Sequence, residues 1–498
     1  MGERRQPSDY EPVTPARRGP QPVPAARVFS PTADADSVST DHIFLPPTDN
    51  TRTNEPTSEP DNAALLAQPP RARGHLLSFA GLFLFTVVLY LRPYELFDAL
   101  AGLTSMAFWI AVCTLAVFFP TQFMLEGNLT ARPREIKLIL LLCLTGLLSI
   151  PLAEEPARAW NAFVEFLKVA LMFIVMVNVV RTERRLKALL LLTLIVSCVL
   201  SVAALNDYQA GHLVLQGKRI AGTIKGMFDN PNDLALHLVM MIPIALALLL
   251  GARNPFKKLG YGVCALLMVG GTIVTFSRGG FLGLVAATLV LLWKTVRRNR
   301  LAICALVLAL VPLVIALAPS SYGGRLSTTS DDSALTRIDD LKRSLTVSLR
   351  HPLLGLGMDN YILYSNTEHA THNAYTQVSA EMGLAALVCY TLFVLAPFRR
   401  LRRIERETDG AKRRSRFYYL AVGLQASLVA YMVSSFFGSV AYQWYIYYLV
   451  SYAVCLQRIY EASLAAPSAV NVEQVNAQAE HLPAQADGVS FHPSEVLN

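Results

Sequence analysis

Three side chains, widely separated along the chain, combine types and neighbours suited to chemistry: Arg219, Arg278 and His372. Arg219 precedes Gly222-Thr223-Ile224-Lys225-Gly226-Met227-Phe228-Asp229-Asn230-Pro231-Asn232. The glycines and Asn-Pro there mark a structured turn leading into a helix. Arg278 lies in Ser277-Arg278-Gly279-Gly280, between two apolar runs. Two glycines leave the backbone approachable, and a helix N-terminus beside a guanidinium suits a phosphate, because free N–H groups and a fixed cation act together. The competing readings are ordinary: an exposed loop arginine at 219, and at 278 a charge that reaches to a membrane interface. His372 opens an apolar run as His372-Asn373-Ala374-Tyr375. An imidazole titrating near neutral pH can take a proton from a hydroxyl or hold that hydroxyl in line; a helix-capping histidine is the alternative. Glu368, His369 and Glu381 flank it as further candidates for a base or an orienting partner.

These groups border a polar segment, 319–373, caught between strongly apolar runs. Within it Leu335, Ile338, Leu341, Leu345 and Leu349 recur at spacings of three and four, which is one apolar face of a helix. The other face carries Arg337, Asp340, Lys342 and Arg343. The pattern predicts an amphipathic helix lying on the outer leaflet of a bilayer. Arg337 either shapes this loop or reaches a bound substrate.

No GxxxxGK[ST] phosphate loop is present, and the adjacent acids Asp331-Asp332 and Asp339-Asp340 fall in a Ser/Thr-rich turn and on the amphipathic helix. Neither a metal nor another cofactor is expected. The seven cysteines lie far apart inside apolar runs, as small buried side chains would.

The elements that must position the candidate residues are membrane spans. Hydrophobic residues make up 53% of the 498, charged residues only 16%, and the mean hydropathy is +0.39. That charge content is well below the roughly 25% of a soluble domain. Many runs approach the ~18–20 apolar residues that cross a hydrocarbon core. About twelve spans follow, near 75–91, 99–120, 136–152, 160–180, 186–206, 232–250, 258–276, 279–296, 301–318, 374–397, 417–437 and 440–458. Residues 1–72 and 461–498 are polar and are expected to be disordered tails around a membrane domain at 73–460. The net charge of +8 sits mostly in alternate short loops, from Arg132/Arg134/Lys137 to the run Arg399–Arg416. This is the positive-inside distribution, with both termini cytoplasmic, rather than a nucleic-acid surface. Arg219, Arg278 and the large loop then share the outer face.

Taken with their order and shared topology, Arg219 with Gly222, Phe228-Asp229-Asn230-Pro231-Asn232-Asp233-Leu234-Ala235, Ser277-Arg278-Gly279-Gly280, Arg337, Pro352-Leu353-Leu354-Gly355-Leu356-Gly357, His372-Asn373-Ala374-Tyr375 and Glu381-Met382-Gly383 resemble the O-antigen ligase/polymerase superfamily of bacterial membrane glycosyltransferases. The resemblance covers roughly residues 75 to 460; at Leu341 many relatives carry Trp. It implies an all-α, GT-C-like fold in the bacterial inner membrane and a donor glycan linked to a polyprenyl pyrophosphate. The acceptor would be another glycan, lipid A core or a protein hydroxyl. It assigns the pyrophosphate to Arg219 and Arg278, the acceptor hydroxyl to His372, and further substrate contacts to Arg337, Asn373 and Glu368. Ligase and polymerase activities stand near parity, with ligase slightly favoured. A flippase or transporter of another class fits the span count, but its ionisable groups would lie near mid-membrane instead of at one face.

Overall fold

The computed structural model describes residues 74–96, 100, 102–212, 220, 227–296, 301, 305, 332–365, 370–411 and 415–480. Among these residues the regular structure is helical, and ten helices are long and apolar enough to cross a membrane. The chain is an all-α polytopic membrane protein. The ten are α1 (Leu76–Leu91, extended by the turn Pro93–Leu96), α2 (Met106–Glu126), α3 (Arg134–Ser149), α4 (Pro156–Val179), α5 (Glu183–Gln209), α6 (Pro231–Gly251), α7 (Pro255–Val274), α8 (Arg278–Thr295), α11 (Leu384–Thr408) and α12 (Arg416–Ser434). Between α8 and α11 stand α9 (Asp332–Arg350) and the short α10 (Ala374–Met382); α13 (Trp444–Glu480) closes the described chain. The expected span at 301–318 apart from residues 301 and 305, the expected tail at 1–72, and the part of the expected tail at 461–498 beyond residue 480 lie outside the described residues.

Local chemistry sets many of the starts. Asn-Pro opens α6 and α7, with Asn230 Oδ1 accepting from Asn232 N–H and Asn254 Oδ1 from Phe256 N–H, both at 2.9 Å. Proline suits the first helical position because the N–H it lacks would have no partner there. Thr182, Ser277 and Ser415 cap α5, α8 and α12 in the same way.

Burial divides the spans. α4, α6 and α12 are covered along most of their length, whereas few residues of α2, α7 and α8 are buried. Exposed Phe108, Trp109, Phe123, Met124, Leu259 and Leu266 form an apolar exterior that suits lipid rather than water. α6 and α12 approach closely at Pro243. A Cβ on Gly423 would lie 2.8 Å from the Pro243 carbonyl oxygen. Beside it Ser427 Oγ donates to the Met240 carbonyl at 2.6 Å, the kind of side-chain bond that serves backbone around a membrane proline.

α13 is not among the ten; its first turns are rich in tyrosine, and Tyr445, Tyr447, Tyr448 and Tyr452 are buried. Two of the four hydroxyls bond to partners, Tyr448 Oη with Thr86 Oγ1 at 2.9 Å and Tyr447 Oη with the Ala441 carbonyl at 2.9 Å. The helix runs on to Glu480, past residue 460 where the composition turns polar.

The run expected as one span from 374 is two helices. Gly383, at φ +87°, separates α10 from α11. The turn Pro352–Gly357 of the large loop clasps this break. Leu356 N–H donates to Ala380 O, Gly357 N–H to Glu381 O and Leu384 N–H to Pro352 O, at 2.8–2.9 Å. The clasp takes up the carbonyls that end α10 and an N–H that opens α11. A side chain at Gly355 or Gly383 would strike backbone 2.3 Å away, so both glycines are required for the approach as well as for positive φ. Arg158 and Asp359, 2.9 Å apart, and Asn360 Oδ1 with Glu155 N–H at 2.8 Å tie the same loop to the start of α4.

α9 forms where the spacing predicted it, with Ile338, Leu345 and Leu349 exposed. The protein covers its small and polar side instead: Asp340, Ser344, Val347 and Ser348 are buried. Ser348 Oγ meets Ser379 Oγ of α10 at 2.8 Å, and Tyr361 Oη donates to the Asp340 carbonyl at 3.1 Å. Small side chains allow α9 to lie close on α10.

Candidate active site

Arg278 is the first residue of α8 and is half-buried. Its position follows from the residues around it. Phe276 adopts a left-handed φ of +52° and turns the chain from α7. Ser277 then caps α8, its Oγ accepting from Gly280 N–H at 3.2 Å and donating to Asn232 Oδ1 of α6 at 2.9 Å. That bond joins the Asn230-Pro231-Asn232 motif to the turn that carries Arg278. The two glycines after Arg278 do not leave the backbone open, as the sequence suggested. A Cβ on Gly280 would sit 2.6 Å from Ala235 Cβ, and one on Gly279 2.9 Å from Phe437 Cβ. Both glycines are buried, and they let the first turn of α8 wedge between α6 and the end of α12.

His372 has φ +52°, uncommon for a residue with a Cβ and costing on the order of 1–2 kcal/mol. Its neighbours hold it there. His372 N–H donates to Ser439 Oγ at 2.8 Å, Thr371 Oγ1 donates to the Asn373 carbonyl at 2.9 Å, and Thr371 Oγ1 lies 3.1 Å from Ser439 Oγ. Asn373 is buried, and its Oδ1 accepts from Tyr375 N–H at 2.8 Å and Thr376 N–H at 3.1 Å. It caps α10, so that side chain builds the helix start. Tyr375 Oη donates to the Met432 carbonyl at 3.2 Å.

The two candidates meet through a third segment, Ser434–Ser439. Ser434 Oγ donates to the Gly279 carbonyl at 2.9 Å, Phe437 fills the space above Gly279, and Ser439 holds His372. The Cα atoms of Phe437 and Ser439 can be at most about 7 Å apart. The backbones of Arg278 and His372 are therefore anchored on one corner of the bundle.

A buried carboxyl lies on the same short helix. Glu381 Oε2 accepts from Tyr442 Oη at 2.9 Å. Burial pushes this carboxyl up to about 8. Gln377, one turn earlier, accepts the Ala441 N–H through Oε1 at 3.2 Å, so α10 is bound to the 438–442 segment along its length.

Arg337 is half-buried on α9, about 16 Å along the helix axis from Ser348. Arg219, Glu368 and His369 lie outside the described residues, as do Lys218, Lys225 and Arg325. The flanks of the Arg219 loop are packed: Ile220 and Phe228 are buried, and the Phe228 ring lies 4.9 Å from that of His237. Sequence reading passed over Ser434 and Ser439. Their signal was the pairs Ser434-Ser435 and Gly438-Ser439 between two apolar runs.

Residues 263–391 match the family model described as O-Antigen ligase. This supports the O-antigen ligase/polymerase superfamily and a ligase- or polymerase-type function in general. No curated protein matches the chain. The matched stretch contains Arg278, Arg337, His372, Asn373 and Glu381, whereas the Ser434–Ser439 corner that anchors two of them comes from beyond it.

Proposed function

We propose that the protein transfers a glycan from a polyprenyl-pyrophosphate carrier to an acceptor hydroxyl, acting as a ligase in surface-polysaccharide assembly. The observation that supports it most directly is the shared anchoring of Arg278 and His372 on the Ser434–Ser439 corner. Arg278, with Arg219, takes the pyrophosphate. His372 receives the proton of the acceptor hydroxyl on an imidazole nitrogen as that oxygen attacks the anomeric carbon. The bond from that carbon to the phosphate oxygen breaks, and pyrophosphate leaves on its carrier with the electron pair. A single displacement inverts the anomeric centre. Pyrophosphate is a good leaving group, so preorganised cations suffice and no metal is needed. Arg337 and Glu368 contribute on the glycan side, and Asn373 acts by fixing the start of α10.

In this reading the site faces the periplasm from the inner membrane, with both termini cytoplasmic. Its support is the concentration of Lys and Arg at the far ends of α6 and α8 and in the run Arg399–Arg416. The exposed leucine face of α9 then rests on the outer leaflet.

The test is transfer from a lipid-linked glycan to an acceptor in membranes bearing Arg219→Ala, Arg278→Ala or His372→Ala. Loss of transfer at normal protein level is the expected result; full transfer in these variants sinks the assignment. A deletion strain separates ligase from polymerase. Ligase loss leaves long chains on the carrier, and polymerase loss leaves single repeats on the acceptor.

A further inference from the structure

At the end of the bundle away from Arg278 lies a cavity of about 260 Å³. α6 separates the two places: Asn232, bonded to Ser277, is in its first turn, and Gly251, which lines the cavity, ends it. Its 21 residues span about 30 Å. The cavity is walled by Leu186 and Leu190 of α5, Leu248 of α6, Leu420 of α12, and Leu456 and Ile459 of α13. Lys187, Arg253, Lys257 and Arg416 line the same space, against the single carboxylate of Glu183. Glu183 pairs with Arg416 at 2.9 Å.

Topology accounts for basic residues in these loops, but not for their convergence on one concavity from three separate chain segments. Their neighbours show the contrast. Arg181 pairs with Glu126 at 2.6 Å, and Arg185 donates to the Val179 and Gly74 carbonyls. Those two arginines hold α1, α2 and α5 together, whereas Lys187, one turn further along α5 from Glu183, is turned to the cavity. A cationic rim over a leucine-lined wall is complementary to a phosphate headgroup that carries a hydrocarbon chain.

We infer that this cavity is a binding site for an anionic phospholipid, its phosphate among Lys187, Arg253 and Lys257 and an acyl chain along Leu190, Leu248 and Leu456. The site is separate from the glycan-transfer site and does not depend on that assignment.

The experiment is thermal unfolding of the full chain in detergent, with phosphatidylglycerol or phosphatidylcholine added, alongside native mass spectrometry for retained lipid. Phosphatidylglycerol should raise the midpoint by several degrees and phosphatidylcholine should not. Lys187→Gln/Arg253→Gln/Lys257→Gln should weaken phosphatidylglycerol binding about fivefold per charge removed. Ala252→Trp, which fills the cavity and keeps every charge, should lose the shift as well. Arg399→Gln/Arg402→Gln, at another basic stretch of the chain, should retain it. Equal stabilisation by both lipids overturns the inference, as does an unchanged shift in the triple variant and Ala252→Trp together. Binding of a polyprenyl phosphate in place of phosphatidylglycerol also overturns it, since the cavity would then hold carrier rather than phospholipid.

Discussion

His372 and Ser439, 67 positions apart in the chain, are joined by a hydrogen bond of 2.8 Å from backbone N–H to hydroxyl oxygen. The bond holds a histidine in a left-handed conformation at the mouth of α10. The serine sits at the end of the segment whose other end bonds the Gly279 carbonyl. A backbone contact to a small hydroxyl thus sets where an imidazole stands relative to an arginine from a distant helix.

Replacing that hydroxyl tests the relationship. Ser439→Ala removes one hydrogen bond worth about 1 kcal/mol and frees His372 to leave its strained conformation. Transfer should fall about tenfold with little change in the amount of folded protein. Ser439→Thr, which keeps the hydroxyl, should recover most of it. Equal activity in Ser439→Ala and the parent would remove Ser439 from the site.

Arg278 provides a second test, because a guanidinium and an ammonium differ in how they meet a diphosphate. Arg278→Ala should lower transfer by ~10²–10³-fold, the usual cost of one preorganised charged contact. Arg278→Lys keeps the charge but loses the fork that binds two oxygens at once, and should restore only part of the rate. Initial-rate measurements at matched protein levels distinguish this from a plain charge requirement, in which Lys would serve equally well.

The glycines after Arg278 are predicted to act through packing. Gly280→Ala places a methyl 2.6 Å from Ala235 Cβ and should destabilise by about 1–3 kcal/mol. Gly260→Ala, on the exposed face of α7 with nothing within 4 Å, should stabilise by about 0.5–1 kcal/mol. The same substitution is expected to have opposite signs at the two positions, and thermal midpoints in detergent read the difference directly.

Glu381 predicts a pH dependence. Its carboxyl is held near 8 by burial, against an ordinary value of 4.5. Between those values the folded protein keeps a proton that the unfolded chain has lost. Stability is therefore highest at low pH on this account and falls as pH rises from about 4.5 through 8. Glu381→Gln should flatten the slope of thermal midpoint against pH over that window while preserving the contact with Tyr442. An identical slope in the variant would remove Glu381 as its source.

The membrane class, the helical spans and their Asn-Pro and serine starts all lie in the sequence. Each rests on local quantities: hydropathy over one run, the spacing of leucines over about four turns, a cap beside its own helix. What the tertiary structure alone decided is which surface of each element is covered. It put Gly279 and Gly280 against Phe437 and Ala235, buried the serine face of α9 and left its leucines outside. It broke a continuous apolar run at Gly383 around the Pro352–Gly357 turn. Those outcomes depend on partners tens to hundreds of residues away, whose approach is governed by shape and by backbone groups needing hydrogen bonds. Neither property is visible in the order of residues within a single helix.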